Sequence, residues 1–300
     1  MIVFQDVNKI FQDYSGVKNI TFEVDPGELV FITGNSGSGK TTLMRLLTGD
    51  YTLNSGEIIL DDIELSKVKN STIHHLRRKI GVVFQDYKLL PDLNVWENIS
   101  LPLYITHTPQ DDIERRVTDL LDLVGLTDKA HLFPSQLSGG EAQRVSIARA
   151  LTTGPSVIFA DEPTGNLDPE TGWNIAKLLH KINQLGTTLL FATHNHDYME
   201  KYKDDARHIH LEKGEIATDS KQTKTTVTSK HTTSDSKPDN NEDGDGELPD
   251  LMHSTPENTP EKKPGLLAKL LGKKQKKNNT AHNEEGKDQK ETKKEEDPQT

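Results

Sequence analysis

An α/β domain on a mainly parallel sheet, interrupted by a helical piece and followed by a disordered tail, is the fold class that the sequence predicts. Three observations lead there. Short apolar runs alternate with helix-spaced segments through the first 218 residues, a glycine-rich turn joins one such run to a helix, and the composition changes abruptly at about Asp219.

Taken in chain order, residues 2–9 and 19–26 alternate apolar and polar side chains, as half-buried strands do. Glu28 to Thr33 reads as a buried strand that runs straight into Gly34-Asn35-Ser36-Gly37-Ser38-Gly39-Lys40-Thr41. Lys40 to Gly49 then has helical spacing at Leu43, Leu46 and Leu47, with Gly49 where a C-terminal cap is expected. Gly56 to Leu60 and Ile80 to Phe84 give two further short strands. Between about Val95 and Arg149 the pattern is mostly helical, punctuated by Pro102, Pro109 and Pro134, and predicts a helical insertion. Val157 to Ala160 and Thr187 to Thr193 read as strands separated by a helix from about Pro169 to Asn183, the βαβ rhythm of a parallel sheet. His208 to Leu211 and Glu215 to Ala217, joined through Lys213-Gly214, predict a closing hairpin.

From about Asp219 onward there is no aromatic residue, and Ser, Thr, Asn, Lys, Asp, Glu and Pro dominate. Such a segment cannot bury enough apolar surface to offset its ordering entropy, which predicts a disordered tail over 219–300. An acidic stretch, Asp235 to Asp250, precedes a basic one, Lys262 to Lys277. Within the latter, Leu266, Leu267, Leu270 and Leu271 would form one stripe of a short basic helix near 264–277 that contacts anionic lipid. A solvated charge run explains the same residues.

The net charge of −11 argues against sequence-independent nucleic-acid binding by the whole chain. With no cysteine there is neither a disulfide framework nor a thiolate metal site. No run approaches the roughly 20 apolar residues that span a bilayer, so a soluble protein is expected, with any membrane role supplied by a partner or a surface contact.

Glycines in a strand–turn–helix let successive backbone N–H groups face an anion at the positive end of the helix dipole. The turn therefore predicts a phosphate-binding loop of Gly34, Asn35, Ser36, Gly37, Ser38, Gly39, Lys40, Thr41 and Thr42. Lys40 would reach the β- and γ-phosphates of ATP, Thr41 would hold Mg²⁺, and Thr42 would bond the α-phosphate. Val157 to Ala160 would deliver Asp161 and Glu162 at a strand's C-terminal end, where α/β sheets bind ligands. Asp161 suits the Mg²⁺ shell and Glu162 a general base for the attacking water. Leu137-Ser138-Gly139-Gly140-Glu141 offers a second helix N-terminus to an anion, although Ser138 with Glu141 is equally an ordinary capping box. His194, directly after an apolar strand, is a stronger functional candidate than His196, which reads as a surface histidine.

The glycine loop, Gln85, Leu137 to Glu141, the Asp161-Glu162 strand, Gly165-Asn166-Leu167-Asp168 and Ala192-Thr193-His194 stand in the order seen in ABC-transporter ATPases, which the chain resembles over residues 1–218. That resemblance implies the P-loop NTPase fold of an ABC nucleotide-binding domain: a mainly parallel core sheet, an N-terminal antiparallel β subdomain and a helical subdomain at about 86–150. It also implies a head-to-tail pair of copies, with each ATP between the glycine loop of one and Ser138, Gly139 and Gly140 of the other. By the same resemblance Asp168 ties the two sites together, Gln85 senses Mg²⁺ and a membrane partner, and His194 holds the γ-phosphate beside Glu162. Phe11 aligns as the residue stacked on adenine, with Tyr14 as the alternative.

Val83 to Leu90, Val95 to Ile99 and Leu101 to Leu103 are similar to the cell-division branch of that family. An integral membrane partner would then dock on Asp86 to Leu103, with Trp96 and Leu93 as anchors, unless Trp96 is simply core. The alternative is a lipoprotein-release or macrolide-export branch, and a third reading is a soluble ATPase acting on ribosomes or DNA. Asn195, where Asp commonly follows the histidine, and the long tail depart from the division pattern.

Overall fold

The computed structural model describes residues 1–12, 15–69 and 71–221. Tyr14 and everything from Gln222 onward, including the acidic stretch and the leucine stripe of the tail, lie outside the described residues.

In chain order the elements are β1 (Ile2–Ile10), β2 (Gly16–Val24), β3 (Leu29–Thr33), α1 (Lys40–Leu47), β4 (Ser55–Leu60), β5 (Ile63–Glu64), α2 (Ile73–Arg77), β6 (Ile80–Val83), α3 (Val95–Ile105) and α4 (Gln110–Val124). They continue with α5 (Gly139–Leu151), β7 (Val157–Asp161), α6 (Pro169–Gln184), β8 (Thr188–Ala192), α7 (His196–Lys201), β9 (Arg207–Glu212) and β10 (Glu215–Asp219). The second strand starts at Gly16 and stops at Val24, earlier at both ends than its apolar alternation suggests. Asp25 and Pro26 instead enter a turn closed by Gly27 at φ 80°, because proline has no N–H to give the ladder. The helical stretch proves to be three helices separated by loops that include single 3₁₀ turns. β5, α2 and α7, of two, five and six residues, are too short to leave a periodic signal.

Two sheets form. An antiparallel sheet runs β2-β1-β4-β5, and a six-stranded sheet runs β10-β9-β3-β8-β7-β6, parallel except for β10. The central strands are apolar throughout because each feeds two cores. On β3, Leu29 and Phe31 face the core under α3 to α6, while Val30 and Ile32 face the core shared with α1 and the antiparallel sheet. β7 divides in the same way, with Ile158 and Ala160 against Val157 and Phe159. Fully burying one such side chain contributes about 1.5–3 kcal/mol.

The parallel register sets Ile32 beside Ala192 and Asp161 beside Ala192, so β3, β7 and β8 end together. That common end positions the site. The closing hairpin turns on Lys213 (φ 51°) and Gly214 (φ 84°), two left-handed residues as a tight hairpin requires. Arg207 of β9 donates to both carboxylate oxygens of Asp219 on β10, at 2.8 and 2.5 Å, and also to the Glu23 carbonyl. This buried pair pins the last strand and corrects the expected boundary. Residues 219–221 belong to the fold and not to a disordered tail, because Asp219 is paired with Arg207, Ser220 accepts from the His208 N–H and Lys221 reaches Asp25. Among the described residues, no helix is long and apolar enough to cross a membrane.

Candidate functional site

β3 stops at Thr33, the chain turns through residues 34–39, and α1 starts at Lys40. Gly34 (φ 145°) and Gly39 (φ 110°) occupy backbone that favours glycine. A Cβ on the first would stand 2.3 Å from the Leu211 carbonyl oxygen, and one on the second 2.6 Å from Val17 Cγ1. Leu43, Met44, Leu46 and Leu47 bury the inner face of α1 and so fix the direction of its N-terminus. Lys40 folds back into the loop. Only 7% exposed, it donates to the Gly34 carbonyl at 2.7 Å and the Asn35 carbonyl at 3.2 Å, and its ammonium lies 3.5 Å from Glu162 Oε1.

Asp161 ends β7, and Thr41 Oγ1 donates to its Oδ2 at 2.8 Å. Burial, with the neighbouring Glu162 charge adding to it, pushes the Asp161 carboxyl above the usual range, against the opposing pull of the Thr41 bond. Its other oxygen, Oδ1, is buried with no hydrogen-bond partner among the described residues, as is the Ser38 hydroxyl. Two unpaired buried oxygens, one on the glycine loop and one on the carboxylate bonded to Thr41, fit a site for Mg²⁺ and a phosphate chain, which would satisfy them.

Glu162 is left-handed at φ 47°, an arrangement that costs about 1–3 kcal/mol and is held here by its N–H donating to the Ala192 carbonyl at 3.0 Å. The twist turns its carboxylate between two partners. Lys40 lies on one side, and His194, 70% exposed just beyond β8, approaches Oε2 through Nδ1 at 2.9 Å. Asn195 donates to Thr193 Oγ1 and caps α7 by accepting from the Asp197 N–H. Its amide thus has a local capping role of its own. His196 is exposed, as the sequence predicts.

The remaining candidates gather elsewhere. Gln85 and Asn166 form a reciprocal pair, Gln85 Nε2 to Asn166 Oδ1 at 3.1 Å and Asn166 Nδ2 to the Gln85 carbonyl at 3.1 Å. Ser138 accepts from the Glu141 N–H while Glu141 accepts from the Ser138 N–H, a complete capping box. Gly140 lies against Thr171, where a Cβ would meet Thr171 Cγ2 at 2.3 Å, and Asp168 caps α6 by accepting from the same residue's N–H at 3.0 Å. Ser138, Gly139, Gly140 and Asp168 therefore form a second cluster, built around the N-termini of α5 and α6. Phe11 is half-buried with the ring of Tyr51 edge-on at 5.1 Å and the Lys9 ammonium 5.2 Å from its centroid.

Sequence reasoning missed Tyr51, Lys129 and Gln143. Lys129 binds Glu141 at 2.5 Å, and with the Ser138 backbone bond it holds that carboxyl down to about 2. Gln143, fully buried, donates to the carbonyls of Phe84 and Pro163 at 3.3 and 2.7 Å. A glutamine among the small and apolar residues of the buried α5 face was the available signal.

A glycine loop and acidic strand end on one α/β sheet, with a capped Ser-Gly-Gly helix start on a separate helical layer, are the parts of an ABC-type ATPase. The profile of the ABC transporter family matches residues 17–165. The cell division ATP-binding protein FtsE of Bacillus subtilis is 45% identical over 222 residues, 73% of this chain and 96% of that protein. FtsE of Escherichia coli K12 is 46% identical over 196 residues, 65% of this chain and 88% of that protein. Among solved structures, the ABC cassette MJ0796, dimeric and bound to ADP and Pi, is 34% identical at a TM-score of 0.65, covering 73% of this chain and 97% of that one. The chain belongs to the ABC transporter family, as an ATP-hydrolysing subunit of the FtsE group.

Proposed function

We propose that two copies of this chain close head to tail on ATP and Mg²⁺ and drive an integral membrane partner resembling FtsX. In this reading they work at the cytoplasmic face of the membrane and regulate peptidoglycan hydrolysis at the division site. The observation that carries the reading is the separation of the two clusters. Lys40, Thr41, Asp161, Glu162 and His194 are joined around the glycine loop, whereas Ser138 to Gly140 pack with the start of α6. Each protomer then supplies one half of each site, and the dimeric state of the MJ0796 cassette supports such pairing.

Within a site, backbone N–H groups of residues 34–39, Lys40 and Thr42 bind the phosphates, and Phe11 stacks on adenine. Thr41 and Asp161 would hold Mg²⁺, which would neutralise phosphate charge, and Gln85, bonded here to Asn166, would join them once nucleotide is bound. Glu162 takes the proton of the attacking water, and His194 keeps its carboxylate oriented while contacting the γ-phosphate. From the partner copy, Ser138, Gly139 and Gly140 close over the γ-phosphate, and Asp168 links the pair. The nucleotide-binding domain runs from residue 1 to about 221, slightly past the boundary at 218 that composition suggests.

The membrane partner docks on the helical layer, at α3 and the loop before it. An open cavity of about 330 Å³ there is lined by Asn94, Trp96, Glu97, Tyr104 and His131, and Leu90, Tyr104 and Ile105 are exposed near it in the chain. Asn98, fully buried, orders the approach by bonding the backbone of Leu90 and Leu93. Trp96 packs partly on the core and still borders the cavity, so both readings of that residue have support. The basic stretch 262–277 adds a lipid contact, which unchanged binding to anionic vesicles after its deletion would remove.

The deciding experiment is purification of the Glu162→Gln chain from membranes in ATP. A dimer bound to a membrane protein of four spans with one large extracellular loop is expected. A partner with a lipoprotein-binding periplasmic domain would instead favour the lipoprotein-release branch, and a chain that stays monomeric in ATP would overturn the paired site.

A further inference from the structure

α5 grips the loop around Gln85 at three levels. At its first turn, the Tyr87 hydroxyl lies 2.9 Å from where a Cβ on Gly139 would stand, so the ring covers that glycine. One turn on, Gln143 holds the Phe84 carbonyl, just before Gln85. Near its far end, Arg149 donates through Nη2 to the Tyr87 carbonyl at 3.0 Å and through Nη1 to the Lys88 carbonyl at 2.8 Å.

The gripped backbone is itself unusual. Tyr87 (φ 60°) and Lys88 (φ 48°) are consecutive non-glycine residues in the left-handed region, which persists only where the surroundings over-determine it. The planar fork of a guanidinium matches two adjacent carbonyls in a way that a single ammonium does not. Gly139 is enclosed by Tyr87 and Leu167 while Gly140 is enclosed by Thr171, so the Ser138–Gly140 segment is wedged between the Gln85 loop and α6.

We propose that Tyr87 and Arg149 are positioning residues that make the Gln85 loop and the Ser138–Gly140 segment one mechanical unit. This rests on the reading that Gln85 serves the nucleotide of its own protomer and Ser138 that of the partner copy. The unit then couples the two composite sites: a change at Gln85 in one site shifts the residues presented to the other.

The test uses Tyr87→Asn in the full chain. Asparagine tolerates the left-handed region, so the backbone keeps its conformation while the ring leaves Gly139. Without nucleotide, hydrogen exchange at the Glu141 and Ala142 amides, both bonded to Ser138, is expected to accelerate roughly tenfold. Exchange within α6 and ATP affinity of the monomer should stay as they are, and Tyr87→Phe, which keeps the ring carbon at 3.9 Å but loses the hydroxyl, should accelerate exchange less than Tyr87→Asn. In the Glu162→Gln background, the ATP needed for half-maximal dimerisation should rise by a similar factor for Tyr87→Asn. Arg149→Lys carries the same expectations and serves should Tyr87→Asn not fold. Unchanged exchange at Glu141 and Ala142 overturns the proposal whatever ATP does. A Glu162→Gln chain that fails to dimerise counts against the paired site alone, because the exchange measurement needs no dimer.

Discussion

The glycine loop and the Ser138–Gly140 segment both lead into the first turn of a helix, yet they are held by different means. Around the glycine loop, Lys40 is almost fully buried, Glu162 is fixed between Lys40 and His194, and Thr41 is bonded to Asp161. That half is assembled from three strand ends and one helix. Ser138 is exposed, and its geometry comes from a local capping box that Lys129 braces through Glu141. The first half is held by contacts between distant segments, and the second by a local cap, with only Ser138 exposed beside the covered Gly139 and Gly140. Two helix starts of similar sequence character are thus held by long-range packing in one case and by neighbours three residues apart in the other.

Substitutions that strike one half and spare the other sharpen that contrast. The largest effect is expected from Glu162→Gln, which keeps the shape and removes the base: ATP turnover should fall by about 10²–10⁴-fold while nucleotide binding persists. Single-turnover phosphate release reads this out, and normal turnover would remove Glu162 from its role. Lys40→Ala deletes a buried cation and its bonds to two loop carbonyls, and should weaken ATP binding by about 10–100-fold in titration calorimetry. Equal affinity in that variant would mean that the backbone N–H groups alone hold the phosphates.

Smaller effects belong to the Ser138 half. Ser138→Ala removes the α5 cap and should lower stability by about 1 kcal/mol in urea denaturation. Monomeric ATP affinity should not change, and dimerisation in ATP should weaken. If monomer affinity falls instead, the two halves are not separate. The smallest is electrostatic. Glu141 is held near 2 by Lys129 and Ser138, below its ordinary 4.5, so its contribution to stability is present above about pH 4.5 and lost as pH falls through about 2. Lys129→Met should move the Glu141 titration upward in a carboxyl NMR series; an unmoved titration would assign the depression to the backbone bond alone.

Much of the glycine-loop half was legible in the sequence because its signals are local. A buried strand, a turn with glycine at Gly34 and Gly39, and a helix starting at Lys40 follow one another without a break. The capping box of Ser138 and Glu141 was equally readable, three residues apart. Tyr87, Gln143 and Arg149 were not, since what each touches lies 20 to 62 residues away along the chain or depends on a carbonyl that no side-chain pattern reveals. The left-handed backbone of Glu162 was invisible for a related reason: glutamate has no intrinsic preference for it, and a bond to Ala192 on the neighbouring strand sustains it.

By itself the sequence determined which residues can meet phosphate, metal and water, because periodicity, caps and glycine placement act over a few residues. Only the tertiary structure decided which of them meet one another. Strand register brings Asp161 and Glu162 beside Thr41, Lys40 and His194, and the packing of α5 joins Gly139 to Tyr87 of the Gln85 loop. Those partnerships come from burying apolar faces of distant segments against each other, and the direction in which a polar side chain then points is set by that packing.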